Sequence, residues 1–300
     1  MLVAEGWQDY ELIDTGFGEK LERWGKYVLR RPDPQALWAR EDSETLWENA
    51  DAVYHRSDQG GGYWEYRGTV PDRWKIEYGK LIFLVQPMQF KHTGVFPEQA
   101  VNWDWARVRI GREQNRRRKE GRNDAIEILN LFAYTGGATM AAVSVGARVC
   151  HVDASKGMIL KAKENITASK LSNELTRFIV DDVSKFVRRE IKRKRRYDAI
   201  IMDPPAYGRG PDGELWKVEN QLFDLIRLCS ELLSREPLFM IVSSYASALS
   251  PTTIGNFLAL SVGSKNGGLV SSDEIGLKSS LRGLTLPCGC CGRWEAANKD

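Results

Sequence analysis

The stretch LNLFAYTGGATMAAVSVGARVCHVDAS, residues 129–155, decides the fold. An apolar run reaches Phe132, the chain turns at Gly136-Gly137, a helix-length segment of small residues follows, and a second apolar run ends at Asp153. Strand, tight turn, helix and strand make one crossover unit of a parallel sheet covered by helices. The same pattern continues outward, with apolar runs at residues 126–132, 148–152, 177–180, 197–202 and 238–243 separated by helix-length segments. The fold expected is α/β, a doubly wound Rossmann-like sheet.

Sheets of this kind bind ligands beyond the carboxyl ends of their strands, near the point where strand order reverses. The turns after the first four runs are therefore the candidate site. The first contains Phe132, Tyr134, Thr135, Gly136 and Gly137, and its glycines let a ligand approach the backbone where a side chain would block it. A Gly-Gly pair also serves as a plain tight turn. The second turn is Val152-Asp153-Ala154-Ser155, with Asp153 seventeen positions after Gly136. A carboxylate there can accept hydrogen bonds from both ribose hydroxyls of an adenosine ligand, or it can cap the helix that begins near Lys156.

The third run ends in FIVDDV, residues 178–183, where Asp182, with Val183 beside it, can take an adenine amino group. Helix capping is again the alternative. The fourth ends in MDPPAYGRG, residues 202–210. Two consecutive prolines hold the chain extended and fix where its carbonyls point. Asp203 and Pro204 would position an acceptor, Asp203 orienting a nucleophile or taking its proton, and Tyr207 offers a stacking face to a planar base.

Outward from this core, residues 1–89 carry short strand-like pieces such as 27–31 and 80–86 between turn signals such as Gln59-Gly60-Gly61-Gly62. They read as a small β-rich accessory domain. Residues 90–300 form the main domain, with 90–124 as a connector that includes KHTGVFPEQAVNWDW at 91–105 and the run Arg116-Arg117-Arg118-Lys119. Such a run is the solvated face of a helix or a phosphate contact. Up to Ala106 there are 12 Lys and Arg against 18 Asp and Glu, whereas from Arg107 onward there are 31 against 22. A polyanion would accordingly meet the second part, which also holds Lys192-Arg193-Lys194-Arg195-Arg196.

No apolar run approaches the roughly 18 to 20 residues of a membrane helix, and the first ten residues lack the basic start and apolar middle of a signal peptide. A cytoplasmic protein without a membrane partner is expected. Cys150 and Cys229 sit singly in apolar surroundings, as reduced buried thiols do. Cys288, Cys290 and Cys291 cluster without a fourth ligand, and His55, His92 and His151 are scattered, so no metal is expected.

Taken together, LNLFAYTGG, HVDAS, FIVDDV and MDPPAYGRG, in this order, resemble the bacterial S-adenosylmethionine-dependent methyltransferase family related to the large-subunit ribosomal RNA cytosine-5 methyltransferases. The likeness runs from about Phe90 to the C-terminus. It implies a seven-stranded sheet, S-adenosylmethionine as cofactor, RNA, ribosomal RNA foremost, as partner, and a pocket lined also by the connector through Thr93, Phe96 and Gln99. The beginning of the chain differs from the small RNA-binding module of the better-known members.

A second departure bears on chemistry. The cytosine-5 members carry a catalytic cysteine after the fifth strand in a Phe-Ser-Cys-Ser-like segment. Here the matching stretch is Val242-Ser243-Ser244-Tyr245-Ala246-Ser247, with Tyr245 at the cysteine position. An unactivated pyrimidine carbon needs a covalent adduct, so cytosine-5 methylation is disfavoured unless Cys229 or Cys288 intervenes. In amino-group methyltransferases an aromatic residue directly follows the second proline; here Ala206 intervenes. A methyltransferase of a protein side chain or small metabolite is the alternative. An NAD-type oxidoreductase would leave Asp203-Pro204-Pro205 unexplained and lacks G-x-G-x-x-G.

Overall fold

The computed structural model describes residues 1–40, 44–57, 61–88, 91–209 and 215–297. Gln59-Gly60 of the expected turn, the expected boundary at residues 89–90, and Gly210 lie outside the described residues. The chain forms two compact units, one of residues 2–101 and 275–288, the other of Met1, 102–274 and 289–300.

The smaller unit is β-rich. Its two-residue β1 (Leu2–Val3) pairs in parallel with Ile275 and Gly276. Strands β2 (Tyr10–Gly16), β3 (Glu19–Trp24), β4 (Tyr27–Pro32), β5 (Ala52–Arg56) and β6 (Gly62–Tyr66) form one sheet in chain order. The short α1 (Glu44–Glu48) supplies Trp47, which packs with Leu21, Ala50 and Val53. A hairpin of β7 (Trp74–Tyr78) and β8 (Leu81–Val85) completes it.

The larger unit is the doubly wound sheet. Helix α2 (Ala100–Lys119) leads to β9 (Glu127–Leu131), α3 (Gly137–Val143), β10 (Arg148–Asp153), α4 (Lys156–Ala168), β11 (Thr176–Val180), α5 (Val183–Lys192) and β12 (Ala199–Met202). After the hairpin β13 (Tyr207–Arg209) and β14 (Leu215–Lys217) come α6 (Val218–Ser230), β15 (Phe239–Ser244), α7 (Pro251–Leu258), a short α8 (Ser264–Asn266), β16 (Leu269–Lys278) and β17 (Thr285–Glu295). The pairing order is β16-β17-β15-β12-β9-β10-β11. These seven match the expected sheet, parallel from β15 through β11 with β17 antiparallel to β15, and the two-residue β1 beside β16 makes the sheet eight-stranded.

Alternation along the strands makes both faces apolar. Leu129, Leu131, Val152, Ile200, Met202, Met240 and Val242 face Val187, Phe186 and Leu222 of α5 and α6. Ile128, Val149, Ala199, Ile201, Phe239 and Ile241 face Ala106 and Ile110 of α2 and Ala142 and Val143 of α3. Period-two side chains buried on both sides are the signature of a central parallel sheet, and each fully buried Leu, Ile or Phe contributes about 1.5–3 kcal/mol. The chain starts at β9, moves outward to β10 and β11, then returns to β12 on β9's other side. The reversal therefore lies between β9 and β12.

The basic run in α2 differs from a uniformly solvated face. Arg117 is 3% exposed and binds Glu113, Asp124 and Asp198, while Arg116 pairs with Glu113 and Glu120. Only Arg118 and Lys119 of the four are exposed.

Candidate functional site

The four expected turns meet at the reversal. Ala133 N–H donates to the Val152 carbonyl (3.1 Å), Asp181 N–H to the Asp153 carbonyl (3.1 Å), and Asp203 N–H to the Leu131 carbonyl (3.4 Å), which ties the ends of β9, β10, β11 and β12 together. The turn after β9 is left-handed at alternate positions, with φ of 54° at Phe132, 50° at Tyr134 and 91° at Gly136. The first two conformations cost a side-chain-bearing residue energy and concentrate at functional sites.

Asp153 holds that turn in place. Its Oδ2 accepts the Tyr134 N–H (2.9 Å) and its Oδ1 the Ser155 N–H (2.8 Å). The cap of α4 is Ser155, whose hydroxyl accepts the Met158 N–H. Asp153 is thus not the ordinary N-cap. Each carboxylate oxygen accepts about two hydrogen bonds, so the two backbone bonds leave one acceptor direction on each oxygen, the complement of a vicinal diol. Burial raises this carboxyl above its ordinary value, with the two backbone N–H groups pulling it back. Ala154 beside it is exposed.

The two glycines have different reasons. Gly136 needs its positive φ, and a Cβ there would press on Ala162 of α4 at 3.1 Å. Gly137 has room for no Cβ because the Trp103 indole stands 2.4 Å from where it would be. Thr135 between strand and helix is buried, and its carbonyl accepts the Asn165 amide (2.9 Å). Beneath the turn, Asn130 donates to the Thr139 hydroxyl, which is bonded to His151 Nδ1, each at 2.9 Å. Burial pushes the His151 ring down to about 3, the Tyr134 backbone opposing weakly.

Asp182 is the N-cap of α5, accepting the Lys185 N–H at 2.8 Å, and Val183 behind it is buried. The capping alternative is therefore realised here, through one carboxylate oxygen. Asp181 pairs with Arg189 instead.

Asp203 and the buried Pro204 follow β12 directly, with Asp203 Oδ1 withdrawn from solvent. Tyr207, 55% exposed, lies on the β13–β14 hairpin. Trp216 of that hairpin donates its indole N–H to the Pro205 carbonyl (2.6 Å), and its ring lies 5.2 Å from that of Phe132. It links the loop after β12 to the turn after β9. Sequence reasoning missed both Trp216 and Trp103, each of which lies away in sequence from the turn it packs against.

Thr93, Phe96 and Gln99 belong to the smaller unit. Thr93 and Gln99 are buried there, and Phe96 precedes the turn Pro97–Gln99. Their place in a pocket rests on the resemblance alone.

At the end of β15, Ser243 pairs with Cys291 and Ser244 with Cys290. The Tyr245 ring lies against Gly289, whose Cβ would stand 3.0 Å from it. Cys291 donates to Asn102 Oδ1 (3.4 Å), which also accepts from Arg293 (2.7 and 3.0 Å). Burial raises the Cys291 thiol despite Arg293 and Asn102, and burial also raises Cys229 in the core and Cys288 in the smaller unit. A thiol held protonated and buried is a poor nucleophile.

The model of the S-adenosylmethionine-dependent methyltransferase family matches residues 59–246. A solved S-adenosylmethionine-dependent methyltransferase from Agrobacterium tumefaciens is similar over 98% of this chain and 92% of its own, at 35% identity and a TM-score of 0.89. Ribosomal RNA large subunit methyltransferase I of Escherichia coli is 35% identical over 222 residues, 68% of this chain and 52% of its own. Ribosomal RNA large subunit methyltransferase K/L of Syntrophotalea carbinolica is 30% identical over 181 residues, 60% of this chain and 23% of its own. The chain thus spans about half, or less, of the curated relatives it matches.

Proposed function

The chain belongs to the S-adenosylmethionine-dependent methyltransferase family, and on that premise we propose that it methylates RNA, with ribosomal RNA as the acceptor. The cofactor supplies a methyl group already activated on a sulfonium sulfur, so the protein has mainly to align and approach the reacting atoms. The observation that carries the reading is Asp153, anchored to the Tyr134 and Ser155 amides with one acceptor direction left on each oxygen. It holds the ribose. Phe132, Tyr134, Thr135, Gly136, Gly137 and Ala154 surround the same ligand, and Asp182 with Val183 receives its adenine end.

Asp203 orients the acceptor atom and takes its proton where it has one. Pro204 fixes the loop, and Tyr207 stacks on the acceptor base. RNA is favoured by the two relatives named for ribosomal RNA and by the basic excess after Arg107. Cytosine C5 is disfavoured as acceptor, because Tyr245 stands at the cysteine position, Cys229 and Cys291 are buried, Cys288 is half-buried, and all three thiols are raised. The acidic excess of residues 1–106 favours a protein or metabolite acceptor as the second reading.

Incubation with methyl-labelled cofactor and separate RNA, protein and metabolite fractions tests the proposal. Label in RNA supports it; label confined to another fraction replaces it with the second reading.

A further inference from the structure

Helix α5 carries its charges on one side. Val183, Phe186, Val187 and Glu190 are buried, which leaves Lys185, Arg188, Arg189 and Lys192 exposed as one stripe at positions i, i+3, i+4 and i+7. The stripe continues through Arg193, Lys194, Arg195 and Arg196, all exposed. Glu190, the one acid among residues 185–196, is consumed internally by Tyr197 (2.6 Å), Arg193 (3.2 Å) and Arg177 (3.6 Å). Arg189 is taken by Asp181. Among the described residues, Arg188, Lys192, Lys194, Arg195 and Arg196 make no ion pair.

Such a helix works against itself. Like charges three and four residues apart repel, and the helix dipole favours cations only in the last turn. That accounts for Arg189 and Lys192 and leaves Arg188 unexplained. The charge also converges beyond the helix. A cavity of about 430 Å³ at the amino ends of β10, β11 and β12 is lined by Lys194, Arg195 and Arg196 together with Arg148 and Arg177, five cations against the two acids Glu127, which pairs with Arg148, and Glu174. The helix begins at Asp182, on the cofactor side of the sheet, and its ten residues carry the stripe about 15 Å toward the opposite side.

We propose that the exposed face of α5 and the turn after it bind the phosphate backbone of the RNA acceptor, so that the backbone runs along the helix while the target nucleotide enters at Asp203. This rests on the reading of the chain as an RNA methyltransferase. The phosphates neutralise the repulsion that the free helix carries, and they set the position of the RNA without reading its sequence.

The test uses the full chain carrying Arg188→Gln, Lys192→Gln, Lys194→Gln, Arg195→Gln and Arg196→Gln, since glutamine matches Lys and Arg in helix propensity. Binding of total ribosomal RNA is measured across a salt series, and cofactor affinity by calorimetry. The expected result is a loss of RNA affinity of about tenfold or more and a log–log salt slope shallower by about two to three, with cofactor affinity within about twofold. A variant changed only at 194–196, outside the helix, gives a smaller loss in the same direction. The control Arg118→Gln/Lys119→Gln, equally exposed on α2, binds as the unsubstituted protein does. Unchanged affinity and slope in the five-residue variant, or an equal loss in the control, overturns the surface while leaving the RNA reading in place. Failure of the unsubstituted protein to bind ribosomal RNA removes that reading and the surface with it.

Discussion

The Trp103 indole occupies the space that a Cβ on Gly137 would need, 2.4 Å from its position. The second glycine of the turn is therefore set by the α2 side chain behind it, and α2 and the start of α3 are locked together at the mouth of the site. Gly137→Ala is expected to destabilise the protein by about 1–3 kcal/mol through overpacking. Adding Trp103→Phe, which removes the ring that clashes, should recover part of that loss in a double-mutant cycle of thermal melts. Additive losses would show that the two residues are independent.

Asp153 joins β10 to the turn after β9, and under the proposed function its remaining acceptor directions take the cofactor ribose. Asp153→Asn places an amide N–H₂ among donors, and cofactor affinity by calorimetry should drop by about tenfold or more, since hydrogen bonds to charged groups are worth roughly 1.5–3 kcal/mol. Its carboxyl is raised by burial, so on acidification the proton arrives early. Affinity should begin to fall at a higher pH than an exposed aspartate would give, and an affinity flat to the ordinary aspartate range would count against this role.

His151 is buried neutral, its ring pushed down to about 3. The unfolded chain takes up that proton near the ordinary histidine value and the folded chain does not, so stability present above pH 6.5 is lost as pH falls toward 3, by about 1.4 kcal/mol per pH unit. Denaturant melts at pH 7, 6 and 5 should show the decline. His151→Gln should flatten it, and an unchanged slope in that variant would assign the decline elsewhere.

The covalent route makes a separate prediction. Cys229→Ala with Cys288→Ala, and independently Cys291→Ser, should leave methyl transfer intact in folded protein, because each thiol is held protonated, Cys229 and Cys291 by full burial and Cys288 in a half-buried position. Loss of transfer with cofactor affinity preserved would restore cysteine chemistry.

Much of the fold was legible because a central parallel strand is a short apolar run and nothing else. The runs at 126–132, 148–152, 177–180, 197–202 and 238–243 became β9, β10, β11, β12 and β15 within a few residues at each end. Strand ends were legible for the same reason, since Asp153, Asp182 and Asp203 stand where apolar character stops. What lay beyond local pattern was who fills the space behind a turn. Trp103 is thirty-four positions from Gly137, and Trp216 reaches Pro205 only because β13 and β14 pair. The polarity of Arg117 misled in the opposite direction: in a run of four cations nothing marks the one that Glu113, Asp124 and Asp198 bury.

The account stands most directly on transfer to ribosomal RNA. Ribosomal RNA from a strain lacking this gene, and the same RNA from the parent strain, should be incubated with the protein and methyl-labelled S-adenosylmethionine. The account predicts label in the first and little in the second, at a nucleotide other than cytosine C5. Equal inertness of both RNAs, with a protein that binds the cofactor, would contradict it.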